Sequence, residues 1–187
     1  MIKRTILLLP LLAALAVAPV QARNVVTDPS APRALPADGP VSVEWTDPAQ
    51  FSDLRFSRNR WEAEQGSWVQ QLAEYLQERA ARRLPEGQRM DVTITDIQRA
   101  GSYEPQLGIN YQHVRVLRDI YPPRMTLQVR ITDADGNVVS EGERKLSDMN
   151  YLHNGTQLRN DPLRHEKRMI DDWLRREIPA DGGLAAK

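Results

Sequence analysis

Cysteine is absent from all 187 residues, so the chain can build no disulfide, no thiolate metal site and no thiol nucleophile. Stability must come from a packed core. An excess of one charge is lacking too. Lys plus Arg and Asp plus Glu both number 25, and a zero net charge supplies no bulk field for nucleic acid. Beyond residue 22 no apolar run approaches the roughly 20 residues that a membrane-crossing helix needs. A phosphate-binding glycine loop, a dinucleotide fingerprint and a Gly-x-Ser-x-Gly elbow are all missing, which removes the usual sequence signatures of nucleotide enzymes and serine hydrolases.

What is present begins with an address. Lys3 and Arg4 precede an almost wholly apolar stretch over residues 6–18, and Val20-Gln21-Ala22 closes it. This is the pattern of a secretory signal peptide over residues 1–22, cut after Ala22. The expected location is periplasmic or secreted. With no cysteine after the cut, a lipoprotein anchor is excluded. The remainder, roughly 165 residues, suits one domain.

The clearest structural signal lies in residues 121–148. Met125, Leu127, Val129 and Ile131 alternate with Thr126, Gln128, Arg130 and Thr132, the period-two pattern of a strand with one buried face. Residues 133–137 then read as a tight reversal, with Gly136 and Asn137 tolerating positive φ. The return strand carries Val138, Ser140, Gly142 and Leu146 on one side and Glu141, Glu143 and Lys145 on the other. Upstream, residues 23–40 hold several prolines and few bulky apolar groups, the composition of a flexible leader. Val41, Val43 and Trp45 form a first strand that Asp47-Pro48 ends. Phe51, Leu54 and Phe56 are the expected core contacts of an irregular stretch.

Ser67 with Gln70 resembles a capping box opening a helix whose buried stripe is Val69, Leu72, Ala73, Leu76 and Ala80. Arg79, Arg82 and Arg83 crowd its C-terminal end as a solvated basic face. Met90, Val92 and Ile94 make the next strand, and a phase slip at Asp96-Ile97 signals a bulge. A right-handed crossover through the helix makes these two strands parallel. Residues 102–111 read as a loop, and Val114 and Val116 as a further short strand. Asp161-Pro162 supplies the cap and first-turn proline of a last helix. Leu163, Ile170, Trp173 and Leu174 share its face, with Asp171–Arg175 and Asp172–Arg176 as i,i+4 pairs. Residues 179–187 read as a flexible tail. The fold class is α+β: a single two-layer domain over residues 41–178 with a mixed sheet of about four to five strands and two helices packed on one face. Its order is strand, helix, strand, short strand, hairpin, helix.

Candidate chemistry is sparse. The three histidines are His113, His153 and His165. His165-Glu166 begins a His-Glu-x-x-His zinc motif, but Met169 stands where the second imidazole belongs. The spacing of His153, Asp161 and His165 matches no established ligand set, so neither a metal nor a cofactor is expected. Asp171 and Asp172 are adjacent and diverge on a helix. Arg115, Arg118 and Arg124 near Tyr111 and Tyr121 form a mixture able to stack bases, yet a neutral exported chain does not favour nucleic acid. Asn154-Gly155-Thr156 fits the glycosylation acceptor pattern, which is common by chance. Arg124, His165, Glu166, Arg168 and Trp173 remain as the candidate binding set. They are either a charged helix flank that seals the sheet edge or a surface groove for an anionic or peptide partner. A hydrolase or metal-dependent enzyme using His153, His165 and Glu166 is the alternative.

Four segments together resemble a known family. They are residues 43–48, Val-Glu-Trp-Thr-Asp-Pro; residues 114–119 running into Tyr121-Pro122-Pro123-Arg124; Asp135-Gly136 followed by Gly142; and residues 163–169 with Asp172-Trp173. The chain is similar, over roughly residues 41–176, to the bacterial domain-of-unknown-function family numbered three-zero-one-six. The resemblance implies an exported bacterial protein and brings no activity, cofactor or catalytic residue. The resulting expectation is a non-catalytic periplasmic binding or envelope-accessory domain, its partner an envelope protein or a small ligand, with no membrane span after signal cleavage.

Overall fold

Alternation dictates the sheet, and the helices cover the side where the apolar residues emerge. The computed structural model describes residues 24–155, 158 and 160–179. The expected signal peptide over residues 1–22, Thr156 of the acceptor tripeptide and residues 180–187 of the expected tail lie outside the described residues. In chain order the elements are β1 (Val41–Trp45), two short helices α1 (Ser52–Arg55) and α2 (Arg60–Glu64), α3 (Trp68–Ala81), β2 (Arg89–Gln98), β3 (Ser102–Tyr103), β4 (Arg115–Val116), β5 (Arg124–Thr132), β6 (Val138–Ser147) and α4 (Arg164–Glu177).

A four-stranded sheet has the order β1-β2-β5-β6. β1 and β2 are parallel, and the other neighbours are antiparallel. This is the expected α+β architecture, with α3 bridging the parallel pair and α4 returning beside it. Val41 and Val43, Met90, Val92 and Ile94, and Leu127, Val129 and Ile131 all point under the helices and are buried there with Leu72, Leu76, Ile170 and Leu174. Truncating any one of these large side chains to Ala costs about 2–5 kcal/mol. The opposite face, carrying Glu44, Asp91, Gln128, Arg130 and Glu143, is left polar. The slip in β2 is real: Ile94 opposes Leu127 but Asp96 opposes Thr126, so Thr95 is the extra residue.

Several local expectations are revised. Ser67 stands at the N-cap of α3 without a side-chain cap bond; its hydroxyl accepts from Gln71 Nε2 at 3.1 Å instead, and Gln70 donates to Glu74. The last helix begins at Arg164, past Pro162, although Asp161 Oδ1 still accepts from Leu163 N at 2.7 Å. Asp171 turns across to Arg79 and Tyr75 of α3, while Asp172 meets Arg168 and Arg175. Arg83 is tied to the Ile178 carbonyl. Phe56 faces water, and a bulge at Val139 leaves Val138 exposed.

Part of the leader expected over residues 23–40 makes backbone hydrogen bonds to the domain. Leu35 N donates to Val43 O and Trp45 N to Arg33 O, both at 2.9 Å, so residues 33–35 pair along the outer border of β1. Val26 and Leu35 pack on the core. Residues 102–116 fold back as a separate ribbon in which Ser102 opposes Val116 and Tyr103 opposes Arg115.

Candidate functional site

β2 gives way after Gln98 to the turn Arg99-Ala100-Gly101, and four segments converge on that turn. Asp53 comes from α1, where Phe51 and Leu54 drive the short helix into the core and carry the carboxylate inside with them. Its Oδ1 accepts from Arg99 N at 2.9 Å, and its Oδ2 accepts from Arg99 Nη2 at 2.7 Å and from Nε at 3.0 Å. Arg115 of β4 also donates to Asp53 Oδ1, and its Nε donates to the Ala100 carbonyl at 2.8 Å. The Arg99 guanidinium lies over the Trp68 ring, 4.1 Å from its centroid, and Arg115 lies over Tyr103 at 5.2 Å. One fully enclosed carboxylate thus anchors two guanidinium groups, each also packed on an aromatic face, which keeps these buried charges tolerable.

From the opposite side α4 delivers Glu166, 1 % exposed, whose Oε1 accepts from Ala100 N at 2.6 Å. Its other oxygen has no hydrogen-bond partner. Burial holds its carboxyl above the ordinary range, against the opposing pull of the Ala100 N–H and of Arg115 and Arg99.

Above this floor opens a cleft of about 190 Å³, bounded by Ser52, Asp53, Phe56, Ser57 and Arg58 on one wall and by Gln98, Gly101, Ser102, Tyr103, Arg115 and Tyr121 on the other. At its rim Glu104 accepts from Arg118 at 2.7 Å and from the Tyr121 hydroxyl at 3.0 Å, contacts that hold its carboxyl below the usual range. The surrounding surface is unusually apolar. Among the described residues twelve large hydrophobic side chains are exposed, and eight of them lie in two segments: Phe56 and Trp61, and Leu107, Ile109, Tyr111, Val114, Leu117 and Ile120. Ile109 is 79 % and Phe56 71 % exposed. Asn59 Nδ2 donates to Gln112 O at 2.8 Å and joins the two segments into one lip.

The sequence-derived candidates do not assemble in this cleft. Arg124 opposes Gln98 and Ser147 and stands on the open face of the sheet. Arg168 is beside Asp148 and Asp172 and donates to the Gly155 carbonyl. Trp173 is buried and donates from Nε1 to Glu177 Oε2 at 3.2 Å. His165 is buried edge-on against the ring of Tyr151, 4.9 Å away, and burial followed by the Arg164 charge lowers its pKa. His153 is exposed on the loop after β6. Only Glu166 reaches the cluster under the cleft. Among the described residues no three His, Asp or Glu side chains group as a metal site, and no helix is long and apolar enough to cross a membrane. A larger recess of about 590 Å³ between α3 and α4 is lined by ion pairs satisfied within it, including Arg79–Asp171, Arg82–Glu78 and Arg175–Asp172.

Asp53, Arg99, Trp68 and Tyr103 were not singled out by the sequence pattern. Asp53 carried a weak signal, a carboxylate set between Phe51 and Leu54 in a stretch that otherwise points inward. Compared with known proteins, the chain matches over residues 39–176 the sequence profile of a family described as "Protein of unknown function (DUF3016)". Neither a curated protein nor a solved structure matches it.

Proposed function

We propose, from the premise that this chain belongs to the DUF3016 family, that it is an exported, non-catalytic binding domain of the bacterial envelope, and that the lip around the Asp53–Arg115 cleft is its recognition surface. Export is supported by the basic, apolar and small-residue run that ends at Ala22. The observation that carries the binding reading is the concentration of exposed apolar side chains in residues 56–61 and 107–120. Isolated exposed hydrophobics are normal, but eight large ones gathered in two segments that a hydrogen bond ties together favour an interaction surface. The floor beneath is braced by Asp53 and its two arginines, a rigid base that lowers the entropy cost of binding. The charged groups of this floor are spent on each other, which suits holding a ligand rather than transferring its protons.

Two measurements test this. Expressed in a bacterial host with a periplasm, the full chain should yield a periplasmic product whose N-terminus is Arg23; an uncut cytoplasmic product would remove the export half. A photo-crosslinking residue at Ile109 should give a discrete adduct in cells, whereas one at Lys145 on the open sheet face should not. Equal labelling at both positions, or none at either, would refute the lip as the recognition surface.

A further inference from the structure

The cations around the cleft are unequally partnered. Arg58, Arg99, Arg115 and Arg118 contribute four guanidinium groups. Three carboxylates stand with them, and each already has partners: Asp53 holds Arg99 and Arg115, Glu104 holds Arg118, and Asp96 accepts from the N–H and hydroxyl of Ser52 at 2.6 and 2.7 Å. Three of the four cations are occupied: Arg99 and Arg115 by Asp53 and backbone carbonyls, Arg118 by Glu104. Arg58 is different. It lines the cleft, is exposed, and makes no hydrogen bond or ion pair among the described residues. Its charge reaches Glu104, which Arg118 and Tyr121 already satisfy.

We infer that the cleft takes the carboxylate of a small monoanionic ligand with an apolar body, and that Arg58 is the side chain that grips it. This rests on the cleft and its lip being the recognition surface. A guanidinium fork matches a carboxylate edge with two parallel hydrogen bonds. The wall supplies further hydroxyl groups from Ser57, Ser102 and Tyr103. Only one cation is free, and the enclosed carboxylate of Asp53 and the rim carboxylate of Glu104 stand nearby, so a dianion such as phosphate would be left under-neutralised. The limited volume and the Phe56 and Tyr103 rings fit a ligand of modest size whose remainder lies against aromatic surface. The neighbouring lip extends that apolar contact outward.

The test uses the mature chain, with amide chemical shifts followed by NMR during titration with benzoate, benzamide and inorganic phosphate. Benzoate should move the amides of Ser57, Arg58, Ser102 and Tyr103 in a saturable way. Benzamide, the neutral analogue, and phosphate should each bind on the order of tenfold more weakly. Arg58→Gln should lose benzoate binding by about the same factor while its spectrum elsewhere stays native, because an exposed side chain without partners contributes little to folding. Benzamide matching benzoate, phosphate matching benzoate, an unaffected Arg58→Gln variant, or shifts away from the cleft would each overturn the assignment. If benzoate fails while Ile109 still crosslinks, only the carboxylate assignment falls and the recognition surface stands. If the Ile109 crosslink fails too, both fall.

Discussion

Asp53 is the residue on which most others depend. Its carboxylate is the shared acceptor for two guanidinium groups contributed from β2's end and from β4, and it has no exposed surface. Removing one member of a buried ion pair leaves the other charge uncompensated, which costs about 3–5 kcal/mol. Asp53→Ala is therefore expected to lower unfolding free energy by that amount in urea titration; a loss under about 1 kcal/mol would contradict the bracing role. Glu166 and His165 predict opposite pH slopes. Glu166 has a raised carboxyl pKa, so the native state binds its proton more tightly than the unfolded chain does. Stability is then lost as pH rises above the ordinary carboxylate value of about 4.3. Glu166→Gln should match the parent near that pH and exceed it at neutral pH. His165 has a lowered pKa, so its penalty grows as pH falls below about 6.5. His165→Phe, which keeps an aromatic edge against Tyr151, should flatten the loss between pH 7 and pH 5. Melting temperatures from about pH 4 to pH 7 decide both.

At the scale of elements, the hairpin and the two long helices were legible because their signals are local. Alternation in β5 and the 3.6-residue stripe in α3 each identify a buried face without reference to any distant residue. The ribbon and the cluster under the cleft were not legible for the opposite reason. Asp53 is 46 residues from Arg99 and 62 from Arg115, and no periodicity encodes that meeting. His165 and Glu166 looked like surface chemistry because charge on a helix usually faces water; here the first turn of α4 is pushed inward over Tyr151 and Ala100. Gly101 shows how tightly the ribbon docks. Its φ is +79°, and an added Cβ would lie 2.7 Å from the Val116 carbonyl. Gly101→Ala should cost about 2–4 kcal/mol from strain and overlap combined. Gly136→Ala in the hairpin turn, with open space around a φ of +85°, should lose less. Equal losses in denaturant titration would mean the ribbon is not closely seated.

For the whole molecule, the two borders of the sheet differ. Residues 33–35 lie along β1, whereas β6 pairs only with β5 among the described residues. Charged Glu141, Glu143 and Lys145 are the kind of residues that discourage a bare border from recruiting another chain. Cutting at residue 41, where alternation begins, would strip the cover from β1. Such a fragment bares one unguarded rim, and joining of that rim to its own copy about a two-fold axis closes as a pair. Residues 41–178 alone should sediment as a concentration-dependent dimer, while residues 24–178 stay discrete. The modest proline-rich preface would then act as a lid on an edge, keeping a sticky molecule solitary.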